Sequence, residues 1–315
     1  MRSRLKTTLL PLLAAMIWGT AFAAQDVCAD SMDAMTFNAL RFFIAVIFLL
    51  AVGAALRAFR RRKASADGPS LPEKTPEEKK LERKRLLTAA LTCGTALAAA
   101  SVLQQAGMSL GTDAGKSGFI TALYVVLVPI AGLFLKKRVP PVFWLAVALA
   151  VAGLYLLCMS GSFRLAAGDL LTLLCAVMFT IQILLIDRFS PGLDSIKLCT
   201  AQFTVAGAWS LLGMLLFEKP DFSAILSCAL PLLYVAIFSS GVAYLLQIVS
   251  QREGDPAIVS LLFCLESVFS VIAGAILLHQ RMTGREYLGC AILFLAVLIA
   301  QIPGFKRKNK GERYE

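Results

Sequence analysis

The sequence predicts an all-α polytopic membrane protein, ten transmembrane helices arranged as two inverted five-helix repeats, and three observations carry that expectation. A mean hydropathy of +0.75 with 58% hydrophobic residues is more apolar surface than a soluble domain of this length buries in one core, so lipid must solvate the chain. Ten apolar stretches approach the roughly 20 residues that a helix needs to cross the hydrocarbon core. They fall at roughly 7–25, 34–56, 86–110, 114–135, 140–160, 168–187, 196–217, 227–250, 256–278 and 283–302, and are numbered below as the first to the tenth span. The third observation is an internal echo at an offset of about 142 residues. The stretch from Asp113 to Ser160 and the one from Asp255 to Pro303 each read as two apolar runs joined by a short basic turn. At this offset Leu123 meets Leu265, Ile130-Ala131-Gly132 meets Ile272-Ala273-Gly274, and Leu135 meets Leu277. Gln104 meets Gln247, and Gly111 meets Gly254, within one residue of it. Matched hairpins in two halves of an apolar chain are the mark of a carrier built from internal repeats.

The charges agree with a membrane. Lys and Arg number 31 against 20 acidic residues, an excess that suits nucleic acid only if it forms a patch. Here the bases sit in short loops and at the C-terminus, which is membrane topology, and no nucleic-acid partner is expected. The eight cysteines show no metal-ligand spacing and most lie inside apolar runs, so they read as small buried residues. No GxxxxGK[ST], HExxH or nucleophile triad occurs, which weighs against an ATP-driven pump or an enzyme, and no cofactor or metal is expected.

Taken in order, the first span follows Arg2, Arg4 and Lys6 and ends near Ala21-Phe22-Ala23, the layout of a secretory signal peptide. The repeat argues for an uncleaved span instead, because Ala15, Ile17 and Trp18 find rough counterparts in Ala176, Met178 and Phe179 of the sixth. Between the first two spans lie Asp26, Asp30 and Asp33 with no base. Residues 57–85 between the second and third hold eleven, from Arg57 to Arg85. The basic loop is therefore cytoplasmic and the acidic one external. Lys136, Lys137 and Arg138 and the tail bases from Lys306 to Arg313 then also fall inside, with both termini cytoplasmic, while Arg281 and Arg285 are the dissent. Five spans per half is odd, so the halves insert in opposite senses. This gives a first repeat at 1–160, a second at 168–302 and a basic tail at 303–315. Inside the first repeat, 57–85 is a flexible or partly helical linker whose bases suit anionic lipid.

Polar side chains at membrane depth are costly and face a cavity or a partner helix. Glu266, near the middle of the ninth span, is suited to take and release a proton or to pair with a cationic solute group; the other reading is a structural carboxyl. Gln104 and Gln247, with Gln105 and Gln251 beside them, and Gln182 and Gln202 are either solute contacts or hydrogen bonds between helices. Trp18, Tyr124, Phe179 and Tyr244 lie well inside their spans as aromatic walls, whereas Trp144 and Tyr287 read as interface anchors. Asn38 and Arg41 sit about two turns into the second span, where the arginine snorkels outward or binds an acid, a structural use favoured over a functional one. Lys116 starts the fourth span and is placed to attract anions, and the single histidine, His279, reads as a solvated cap. Pro129, a hinge or cavity wall in the fourth span, has Val271 at the same offset.

With these residues in hand the chain resembles the drug/metabolite transporter superfamily, in its EamA-type bacterial members. The resemblance rests on AAMIWGTAFA, LRFFIA, SGFITALYVVLVPIAGLFLKKR with the following GLYLL, and SLLFCLESVFSVIAGAILL with the following GCAILFLAVLI. It implies ten helices in two inverted repeats around a central cavity, a bacterial cytoplasmic-membrane location, and export of amino acids or related metabolites. It also implies a cavity that picks up Trp18, Gln104, Tyr124, Gln182, Tyr244, Gln247 and Glu266. Members often carry Glu-Pro in the ninth span and Gly-Glu at its end. Here Ser267 follows Glu266 and His279-Gln280 replaces the second acid, so no role for that carboxylate carries over. The expectation is a carrier of a small organic solute working by alternating access, with Glu266 as the titratable element. A facilitative uniporter or exchanger of the same fold, and a membrane enzyme or scaffold that moves no solute, are the alternatives.

Overall fold

A computed structural model describes residues 5–64, 75–112, 114–136, 139–159, 166–277 and 282–301, and among these every regular element is helical. The expectations placed on Lys137, Arg138, His279, Gln280, Arg281, most of 64–75 and the basic tail lie outside the described residues. Among the described residues, nine of the spans are long and apolar enough to cross a membrane by length and composition. The tenth, Gly284–Ala300, has 17 residues, the lower end of the spanning range of about 17–25. The bundle is apolar on its outside, where Ile47, Leu145, Leu215 and Leu298 are exposed, and its buried positions include many Gln, Ser and Thr. An apolar exterior of this kind is what lipid as solvent requires, and most of the interior is apolar as well.

The second helix runs Ala34–Ala64 and the third Pro76–Ser109, both well past the apolar runs that announced them. Polar, charged sequence continues a helix outside the bilayer when its ends are capped, and Thr75 and Glu78 form a reciprocal capping box with Pro76 at the first helical position. Both flanks of the 57–85 linker are therefore helical. The second flank is docked: the Arg85 guanidinium donates to Pro191 O at 3.1 Å, and Lys197 lies 3.8 Å from Glu82.

Two spans are interrupted where a single apolar run gave no warning. The fourth comprises Ala114–Thr121 and Tyr124–Phe134, and the ninth Pro256–Phe263 and Leu265–Leu277. The interruptions are equivalent. The Val125 N–H donates to Ala122 O at 3.0 Å, and 142 positions on the Ser267 N–H donates to Cys264 O at 3.3 Å, so each helix tightens to i→i−3 bonding at the same place in its repeat. The eighth span is irregular too. It follows the short helix Phe222–Ser227 and passes from Ala229–Tyr234 through a π-helical stretch, Val235–Ala243, into Tyr244–Glu253.

The packing repeats with the sequence. The second span lies on the seventh and the fifth on the tenth, each a pair of equivalents. Third on sixth is matched by eighth on first, and fourth on sixth by ninth on first. The fifth and tenth spans approach backbone to backbone. A Cβ on Gly153 would stand 2.9 Å from Gly289 O, and one on Gly289 would stand 2.8 Å from Gly153 O, so only glycine fits at either position.

Candidate functional site

The interruptions in the fourth and ninth spans meet at the centre of the bundle. The Cys264 sulfur stands 3.7 Å from Ala122 O and 3.4 Å from Ser260 O of its own helix, and the Tyr124 hydroxyl donates to Glu266 Oε1 at 3.2 Å. Both contacts between the two spans join residues 142 apart, the repeat offset itself, so both lie on the pseudo-two-fold axis relating the halves. Glu266 lies in the first turn of the second segment of its helix and is 4% exposed, and its tyrosine partner is equally buried. Span one passes directly behind it: a Cβ on Gly19 would come within 2.3 Å of Glu266 O.

A narrow cavity of about 50 Å³ surrounds this contact. Trp18, Phe22 and Gln25 reach it from one face of the first helix at i, i+4 and i+7 spacing. Trp18 sets the wall. Its ring meets Tyr244 and Phe263 edge to face, at centroid distances of 5.2 and 5.0 Å, and its indole N–H donates to Ser239 O at 3.2 Å. Ser239 lies in the π-helical stretch, the irregular backbone that a cavity wall tolerates at membrane depth. Gln104 and Thr121 line the cavity beside Tyr124, with the Gln104 amide donating to the Thr121 hydroxyl at 3.0 Å. Phe179, Ile183, Gln247 and Arg41 complete the lining.

Six of the seven residues singled out from sequence, Trp18, Gln104, Tyr124, Tyr244, Gln247 and Glu266, thus face one space. Gln182 does not. It is fully buried behind the wall, where its carbonyl accepts from the Gln247 amide at 3.2 Å and so holds that side chain. The neighbouring glutamines bind backbone near opposite ends of the bundle: Gln105 donates to Gln25 O and Gln251 to Ile183 O, each at 3.1 Å.

Two expectations are corrected here. Arg41 does not snorkel outward, and among the described residues it meets no acid. It is 3% exposed, lines the cavity, and donates to Gln25 Oε1 at 2.8 Å and, at 3.4 Å, to the Ser101 hydroxyl. The signal was present, since a charge within an apolar run is a functional candidate by default, but snorkelling distance from the helix end hid it. Lys116 is not open to anions. It is ion-paired with the buried Asp169, which also accepts from the Thr112 hydroxyl at 3.0 Å and from Ala166 N at 2.7 Å. These bonds clasp the fourth span to the start of the sixth, one repeat to the other.

Comparison with known proteins places this geometry. The EamA-like transporter family matches residues 5–159 and again 166–301, once per half. The chain belongs to the EamA-like transporter family. A curated relative from Archaeoglobus fulgidus, described as an uncharacterized transporter, is 28% identical over 300 residues, covering 92% of this chain and 84% of its own. A solved crystal structure titled only as that of a protein superposes with a TM-score of 0.73 at 18% identity, covering 94% of this chain and 96% of its own. That likeness shows the shared fold. This family member is accordingly a multi-pass membrane transporter of the drug/metabolite type, in contact with lipid and serving a small-molecule substrate.

Proposed function

We propose that the protein exports a small organic metabolite, an amino acid or a related solute, across the bacterial cytoplasmic membrane by alternating access, with Glu266 carrying a coupled proton. One observation carries this reading: a carboxylate buried on the pseudo-two-fold axis, in the wall of an aromatic-lined cavity, at the point where two broken helices meet. Inverted repeats place their solute sites at mid-membrane beside discontinuous helices, and rocking one half against the other exposes that site to each side in turn. An acid at that depth is costly when charged. Its protonation state is therefore coupled to what occupies the cavity beside it.

The remaining contacts serve the same cycle. The Gln105 and Gln251 tethers close the two ends of the pathway, and the clasp of Lys116, Thr112 and Asp169 holds the external end, with both termini in the cytoplasm. The basic helical flanks of 57–85 continue their spans past the cytoplasmic face, where their charge favours anionic lipid.

Purified protein in proteoliposomes tests the reading. A panel of amino acids, amines and aromatic metabolites should include a solute whose flux responds to an imposed pH gradient, and Glu266→Gln should remove the response. Flux indifferent to both the gradient and the substitution would leave a facilitative carrier and dismiss the coupling.

A further inference from the structure

We propose that Arg41 is the anchor for an anionic group of the transported solute, so that the cavity selects carboxylate-bearing molecules over amines and quaternary cations. The inference rests on the transport reading above and adds to it the charge of the cargo.

The argument is one of unanswered charge. A guanidinium stays ionised at neutral pH and offers five N–H donors in a fixed fork. In Arg41 the two donations found go to neutral oxygens, those of Gln25 and Ser101, the second of them long. The Nε is buried without a hydrogen-bond partner in the protein, and among the described residues no carboxylate pairs with this arginine. The rings of Phe37 and Phe42, with centroids 5.4 and 4.8 Å from the guanidinium carbon, shield it from lipid without supplying a negative charge. Buried charges are normally paired. Here no charged partner stands among the described residues, and the side chain lines a cavity.

Glu266 does not supply it. It lines the same cavity, is bonded to Tyr124 on the axis, and forms no ion pair with Arg41. One space thus holds a cation and an acid that do not neutralise each other, with the Trp18, Tyr244 and Phe263 rings in its walls. A solute presenting a carboxylate to Arg41 would satisfy the fork in two-point fashion and lay an apolar body on those rings. A free inorganic anion such as chloride offers the same charge without the body.

Matched pairs of probes separate these sources. L-phenylalanine against phenethylamine and L-leucine against isoamylamine differ only in the carboxylate. Each is titrated into the full-length detergent-purified protein with tryptophan fluorescence as the readout, in chloride and in chloride-free medium, and followed as flux in proteoliposomes. In at least one pair the acid should bind roughly thirtyfold or more tighter than its amine, with or without chloride. Arg41→Gln should bring that pair to within about threefold, and Arg41→Lys should keep part of the preference, because it keeps the charge and loses the fork. Equal binding of acid and amine in every pair overturns the assignment on wild-type protein, whatever the variants do. So does an acid preference that survives in a folded Arg41→Gln. Stabilisation by chloride that Arg41→Gln abolishes, with no acid competing for the site, makes Arg41 an inorganic-anion site and likewise overturns it. Acids that bind through Arg41 but never cross the bilayer would instead sink the transport reading and leave the anchor standing. Amines carried equally well by wild type and Arg41→Gln would do the reverse.

Discussion

At the scale of single residues, the Tyr124 to Glu266 bond is the contact whose loss is most informative. Tyr124→Phe removes one donor from a buried acceptor and leaves the ring in place. A hydrogen bond of this kind contributes about 1 kcal/mol, so flux should fall about fivefold and its pH profile should move, because the charged acid has lost a stabilising partner. Superimposable profiles for wild type and Tyr124→Phe would separate the phenol from the coupling step. Much of this site was legible in the sequence, since an acid, glutamines and aromatics inside apolar runs have few uses other than a cavity or a helix contact. What stayed hidden was which of those two uses each residue has. Gln182 and Gln247 have the same chemistry at similar depths, and only the rotation of their helices puts one on the wall and the other behind it. The partners of Arg41 stayed hidden as well, because nothing in the sequence sets Gln25 and Ser101 beside it.

At the scale of elements, close approach of backbones is the dominant constraint. Gly19→Val would drive a side chain into Glu266 O and should cost about 2–3 kcal/mol or more, seen as a lowered melting temperature of the purified protein together with lost flux. Gly153→Ala and Gly289→Ala should each destabilise by about 1–3 kcal/mol. The double variant should cost less than the sum, because either substitution alone already pushes the same two helices apart. Additive losses would mean that the fifth and tenth spans do not share one contact. Hydropathy located the spans because lipid solvation needs apolar side chains all round, as at Ile47 and Leu215. It located none of the interruptions, because tightening at Ala122 and Cys264 and widening at Val235–Ala243 alter backbone bonding without altering apolarity. The capping box at Thr75 was written in plain residues, yet it lay inside a charged stretch that apolar periodicity does not reach.

At the scale of the whole molecule, the inverted arrangement makes a topological prediction. Epitopes placed at both chain ends should be accessible from the same side of the membrane, and opposite accessibility would remove the inverted repeat. The clasp between the repeats makes another. Asp169→Asn abolishes the ion pair to Lys116 and weakens the cap at Ala166. It should therefore raise the rate at which a membrane-impermeant maleimide added outside labels a Phe22→Cys probe in the cavity, by about tenfold if the bond holds about 1.4 kcal/mol of closed state. Unchanged labelling would show that the external end is held by other contacts.

The meeting of equivalents on the axis also bears on stoichiometry. In an assembly of two identical subunits, whatever stands on the dyad faces its own copy, so an acid there would confront an acid and the two like charges would resist ionising together. A single chain holding both copies escapes that constraint, since one copy can keep tyrosine where the other keeps glutamate. The dyad then holds one titratable carboxylate, and the coupling proposed for it amounts to one proton per turnover.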